Sequence, residues 1–232
     1  MGKRPTTAEE SYPDFGVALG DGLKFPDDLQ ARMVAEMHLR ESGIPPKYLD
    51  KSFDSFIARD KKRKDLLDSA QGYVKSFNLE NKSKYFGLFF SARTGAGKTH
   101  LACAILKAVI LKGYNGVYCN VPRLLELLRE LMFDRAAYDD RGFLARCESA
   151  DLLVIDDLGC ETVTGWVQDR LYLLVNRRYE DMGRTIVTTN CSDATLRERI
   201  GERVESRLIE MCNARWVFPD EDYRMKTWGP RR

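Results

Sequence analysis

One stretch constrains this chain more than any other. Gly95-Ala96-Gly97-Lys98-Thr99 directly follows the apolar run Tyr85-Phe86-Gly87-Leu88-Phe89-Phe90 and opens a helical pattern from Lys98 to about Lys112. A near-continuous apolar run of this kind fits a strand buried on both faces, which implies a parallel sheet covered by helices. The two glycines permit left-handed backbone, so successive N–H groups can turn inward toward one anion. The helix that follows adds its positive end. The phosphate-loop pattern G-x-x-x-x-G-K-[ST] is met at Gly97, Lys98 and Thr99, while Ala92 stands at its first glycine. An alanine is tolerated there if its backbone is extended, where a Cβ costs little. Thr94, Gly95, Ala96, Gly97, Lys98, Thr99 and His100 are therefore the expected nucleotide-binding residues. Lys98 supplies charge to the outer phosphates and Thr99 a hydroxyl to Mg²⁺.

Downstream, strands and helices alternate. Gly116 to Val121 reads as a short strand, Leu124–Met132 as a helix, and Asp151 to Ile155 as a second strongly buried strand. Trp166 to Tyr179 is helical, Arg184 to Thr189 is a strand, and two short helices and a last strand at Arg215 to Phe218 close the pattern. Five strands alternating with helices predict an α/β fold with a five-stranded parallel sheet flanked by helices.

Upstream, residues 1–25 hold Pro5, Pro13, Gly16, Gly20 and Gly22 with few periodic apolar positions and read as an arm. Pro26-Asp27-Asp28 predicts a helix start with acids in its first turn. Leu29, Met33, Val34 and Met37 follow at helical spacing, and the helix stops near Gly43, ahead of Pro45-Pro46. That apolar stripe either packs on the domain behind it or is kept for a partner. Leu66 to Phe77 predicts another helix. The expected division is residues 1–45 as arm and helix and 46–232 as the nucleotide-binding domain.

Composition narrows the function classes. With 37 Lys and Arg against 35 Asp and Glu, the chain is neither a polybasic binder nor an acidic disordered one. The charge is uneven: residues 81–150 carry 11 basic and 6 acidic groups. No apolar run is long enough for a membrane span and no signal-peptide pattern opens the chain. Six widely spaced cysteines without a C-x-x-C pair, and two histidines, predict reduced thiols, no zinc site and a cytoplasmic location.

Two further strand ends carry candidate chemistry. Asp156-Asp157 ends a buried strand on the side where the phosphate loop lies, so Asp156 is the expected Mg²⁺ partner and Asp157 the residue that orients the attacking water. Thr188-Thr189-Asn190 ends the next strand, where the Asn190 amide can hold that water or the outer phosphate. Arg203 and Arg207 are four apart and share a helix face. Both can be surface arginines paired to Glu202 or Glu205, or one can reach a neighbouring subunit's outer phosphate as an arginine finger.

Taken together and in order, Gly95-Ala96-Gly97-Lys98-Thr99-His100-Leu101-Ala102, Leu152-Leu153-Val154-Ile155-Asp156-Asp157-Leu158-Gly159, Arg177-Arg178-Tyr179, Thr188-Thr189-Asn190 and Gly201-Glu202-Arg203-Val204 resemble the DnaC/DnaI-type helicase loaders, which are AAA+ ATPases. Gly43-Ile44-Pro45-Pro46-Lys47-Tyr48 with Ser52-Phe53 is similar as well, and IstB-type transposition helpers share most of these motifs. The resemblance covers roughly residues 40–225. It implies Walker A roles for Lys98 and Thr99, Walker B roles for Asp156 and Asp157, sensor 1 at Asn190, a finger at Arg207 with Arg203 beside it, and a sensor 2 at Arg224. Only 42 residues follow Asn190 in the 232-residue chain, so the helical lid domain of a full AAA+ protein is expected to be absent or truncated.

The resemblance also implies partners. It implies ATP and Mg²⁺, a hexameric DnaB-type replicative helicase gripped by the helix near Leu29–Met37, single-stranded DNA, and a homo-oligomer of six copies on the helicase. The DNA-facing segment is about Val121–Cys147, with Arg123, Arg129 and Arg135 as expected contacts. The implied function is ATP-dependent loading of the helicase onto single-stranded DNA in replication initiation, with slow hydrolysis stimulated by oligomer or DNA. Two other readings share these residues: an IstB-like transposition helper ATPase, and an ATP-gated adaptor with little hydrolysis.

Overall fold

A computed structural model describes residues 23–80, 87–133, 138–160 and 164–219, with the side chains at 130–141 outside the description. Nine helices and five strands occur among them: α1 Leu29–Glu41, α2 Pro46–Leu49, α3 Lys61–Ser76, β1 Leu88–Ser91, α4 Lys98–Leu111, β2 Gly116–Asn120, α5 Val121–Phe133, α6 Tyr138–Ser149, β3 Leu152–Asp156, α7 Gly165–Glu180, β4 Arg184–Thr189, α8 Asp193–Ile200, α9 Glu202–Met211 and β5 Ala214–Val217.

The strands form one parallel sheet in the order β2-β3-β4-β1-β5. Side chains alternate across it, as the strand period requires. Phe90, Tyr118, Leu152, Val154 and Ile186 enter one apolar layer with α1, α3 and α4. Val117, Cys119, Leu153, Ile155 and Val187 enter the other, against α5, α6, α7, α8 and α9. Helix α4 is apolar nearly all round because it is buried between the sheet and α1 and α3.

Local chemistry sets the helix starts. Asp28, Asp60, Thr164 and Ser192 each cap a helix by accepting a backbone N–H three residues on. The cap at Asp28 corrects one expectation: the helix begins at Leu29, so its acids lie before the first turn and not within it. Asp60 likewise starts α3 five residues ahead of Leu66, because the turn over Lys61–Lys64 is polar and hides from apolar periodicity. Asp151 precedes β3, and its carboxylate accepts the Asn115 N–H at 2.8 Å. Val121 opens α5 and does not end β2, and Tyr85 and Phe86 lie outside the described residues.

Helix α1 packs on the domain through a face other than the stripe read from the sequence, of which only Val34 is half-buried. Ala35 and Leu39 are buried in the domain, whereas Leu29, Met33 and Met37 are 41%, 55% and 48% exposed. The strand β2 is an edge of the sheet, and the end of α1 covers part of it: the Tyr118 N–H donates to Ser42 O at 2.7 Å. All six cysteines are free thiols. Among the described residues no helix is long and apolar enough to cross a membrane.

Candidate nucleotide-binding site

The loop between β1 and α4 has the backbone its glycines predict. Gly95 and Gly97 have φ of 81° and 99°. Ala92 is not among the positive-φ residues, and its N–H donates to Thr189 O at 3.4 Å, so it extends the β1 ladder where no glycine is required. A Cβ on Gly97 would sit 3.0 Å from the Phe56 ring, so this side of the loop is closed by the segment before α3.

The ammonium of Lys98 donates to Ala92 O at 2.8 Å, to Arg93 O at 2.9 Å and to Asn190 Oδ1 at 2.6 Å. The Asn190 Nδ2 in turn donates to Asp157 Oδ1 at 3.0 Å. Asn190 thus joins the end of β4 to the loop and to the residue after β3. Asp157 has a positive φ of 59°, a conformation that Asp tolerates better than most residues, and its N–H donates to Thr188 Oγ1 at 3.1 Å.

Asp156 is 2% exposed and fully engaged. Its Oδ1 accepts from Thr99 Oγ1 at 2.9 Å and Thr188 Oγ1 at 2.7 Å, and its Oδ2 accepts from Tyr118 Oη at 2.6 Å. Burial pushes its carboxyl up and the three hydroxyl donors oppose that shift. The Thr99 hydroxyl and the Asp156 carboxylate are thus joined directly, one at the start of α4 and the other at the end of β3.

A cavity of about 540 Å³ opens over these groups, lined by Thr94 to His100, Asp157 and Asn190 on one side and by Tyr48, Phe56 and Ile57 on the other. Its size suits a nucleotide. The residues 47–57 contribute a wall that motif reading did not assign, although Tyr48 and Ser52 lie in the segment singled out above. His100 ties that wall down: its Nε2 is 2.8 Å from Ser52 O and 3.3 Å from Ser55 Oγ, and its ring meets Phe56 edge-on at 5.4 Å. Burial lowers the His100 pKa, so the ring is held neutral.

The arginines separate. Arg207 lies on its own subunit: Nε donates to Asn176 Oδ1 at 2.9 Å, Nη1 to Arg203 O at 3.1 Å and Nη2 to Tyr172 Oη at 3.3 Å, and the guanidinium sits 4.9 Å from the Tyr172 ring. Arg203 is exposed. Neither arginine takes the expected acidic partner at Glu205, which pairs with Arg197 at 2.5 Å. Arg224 lies outside the described residues.

Of the DNA candidates, Arg123 lines a second cavity of about 490 Å³ that also touches Tyr118, Asp156 and Asp157. Arg129 stands over the Trp166 ring at 5.3 Å. The Arg135 residue lies outside the described residues.

Comparison with known proteins agrees with this geometry. The model of the IstB-like ATP binding protein family matches residues 32–211. The replicative helicase loader DnaC of Buchnera aphidicola subsp. Schizaphis graminum is 30% identical over 86% of this chain and 85% of its own length. The DnaC of Escherichia coli strain K12 is 27% identical over 85% of this chain and 78% of its own. A crystal structure of the DnaC helicase loader superposes with a TM-score of 0.67 at 32% identity, covering 75% of this chain and all of that one. The nucleotide site and these matches together place the chain in the IstB-like ATP-binding protein family, among the DnaC proteins.

Proposed function

We propose that this protein is an ATP-dependent loader of the hexameric replicative helicase onto single-stranded DNA. The observation that carries the reading is the junction of Lys98, Asn190 and Asp157 beside the Thr99–Asp156 pair, in a chain 30% identical to a helicase loader over most of its length. Thr94 to Thr99 would wrap the phosphates with backbone N–H groups, and Lys98 would neutralise their outer charge. His100 keeps the Tyr48–Ile57 wall against the same cavity. A magnesium ion would be held by Thr99 with Asp156 behind it and would supply charge neutralisation between the outer phosphates. Asp157 orients the attacking water, and Asn190 keeps Asp157 and Lys98 in register. Asp157 is one methylene shorter than Glu, which fits slow turnover in the isolated chain.

Arg224 would serve as sensor 2 toward the nucleotide, and completion of the site falls to a neighbouring copy, whose Arg207, or Arg203 beside it, would reach the outer phosphate. Six copies on the helicase would line one DNA strand with Arg123, Arg129 and Arg135, each contact weak and the sum salt-dependent. The exposed Leu29, Met33 and Met37 face of α1 is the surface offered to the helicase, in the cytoplasm where replication occurs. The test is co-purification with the host's replicative helicase. Retention that requires ATP supports the loader, and no retention under either condition refutes it. The family match also favours one alternative, a transposition helper of the IstB kind. Retention of a transposase in place of the helicase is its signature.

A further inference from the structure

The geometry points to Tyr118 as a positioning residue that fixes the Asp156 carboxylate for the metal. The inference rests on the proposed ATP–Mg²⁺ site and adds a residue from a strand that carries no recognised motif.

Tyr118 lies in the middle of β2, and its Cα partner on β3 is Val154. Asp156 is two residues further along β3, on the same face, so a long side chain from β2 can reach it diagonally. The Tyr118 ring does so: it is buried, 5% exposed, and its hydroxyl donates to Asp156 Oδ2 at 2.6 Å. The other oxygen, Oδ1, takes Thr99 and Thr188. Three hydroxyls from β2, α4 and β4 therefore hold one carboxylate, and among the described residues Tyr118 alone donates to Oδ2. Without it the plane of the carboxylate is restrained only through Oδ1, by Thr99 and Thr188, and Oδ2 loses its fixed bearing.

The tyrosine is itself held from both sides. Its strand is paired to β3, and its N–H donates to Ser42 O at the end of α1. Ser42 is fully buried, and a Cβ on Gly43 would lie 3.1 Å from Tyr118 O, so α1 approaches this strand closely. Partners that orient the ligands of a metal without touching it are worth about 10- to 100-fold in metal affinity.

The experiment is a Mg²⁺ titration of the binding of a fluorescent ATP analogue to the full chain, for wild type, Tyr118→Phe and Tyr73→Phe. Phenylalanine keeps the packing of a buried tyrosine and removes one oxygen. Tyr73→Phe deletes another buried hydroxyl from the same apolar layer. The expected result is wild-type binding strengthened by Mg²⁺, a midpoint raised about 10-fold in Tyr118→Phe, equal affinities in EDTA, and a wild-type midpoint in Tyr73→Phe. Wild-type dependence with an unchanged Tyr118→Phe midpoint overturns the role of Tyr118 alone. Tyr73→Phe shifting as far as Tyr118→Phe overturns it too, by showing a general packing effect. Wild-type binding indifferent to Mg²⁺ overturns the site assignment on which the inference rests.

Discussion

Lys98 and Asn190 are 92 residues apart, yet Nζ of one lies 2.6 Å from Oδ1 of the other. The amide nitrogen of the same Asn190 holds Asp157, so one side chain joins the lysine proposed to bind the phosphates to the carboxylate proposed to orient the attacking water. Replacing it should damage turnover more than binding. For Asn190→Ala we expect single-turnover ATP hydrolysis to fall about 100-fold, with a much smaller change in ATP affinity by equilibrium titration.

Gly97 cannot carry a side chain without cost. Its φ is 99° and the Phe56 ring closes the space where a Cβ would go. Gly97→Ala should lower unfolding stability by about 1–2 kcal/mol from backbone strain. It should also abolish nucleotide-dependent stabilisation in thermal melts.

Arg207 is gathered against Tyr172 and Asn176 on its own subunit, so a role at another subunit's site is best read by mixing. Arg207→Ala and Lys98→Ala should each be inactive in DNA-stimulated hydrolysis. Their mixture should recover activity, since sites pairing an intact Lys98 with a neighbour's intact Arg207 then form. Loss of an arginine finger costs about 10³- to 10⁵-fold in turnover. Arg203→Ala run in parallel assigns the finger between the two.

The buried His100 gives a pH signature. Its folded pKa lies below the ordinary 6.5 because burial disfavours the charged ring. As pH falls below about 6.5, the unfolded chain binds the proton while the native chain resists it. The stabilising contribution is therefore complete above that value and is lost as pH falls through the lowered folded pKa. Comparing denaturant unfolding at pH 7.5 and about pH 5.5, the wild type should lose more stability than His100→Gln.

The parts legible in the sequence were those that short local patterns encode. The loop Gly95–Thr99, the acids after β3 and the amide after β4 announce themselves because backbone conformation and strand ends are local properties. Phe56, Tyr118 and Tyr172 were not legible, nor was the contact of Thr188 with Asp156. Tyr118 reads as one more apolar residue of a short strand until strand order and register bring its hydroxyl to Asp156. Phe56 reaches Gly97 only through the fold of the segment between α2 and α3. Pairing also misled: Glu205 shares a helix with Arg203 and Arg207, but Arg197 on α8 reaches it first.

The most direct test of the central claim is a loading assay. The host's replicative helicase is offered single-stranded circular DNA coated with single-strand-binding protein and carrying an annealed strand. The account predicts unwinding only when this protein and ATP are both present, and none with Lys98→Ala. Unwinding at the same rate without the protein, or equal loading by Lys98→Ala, would contradict it.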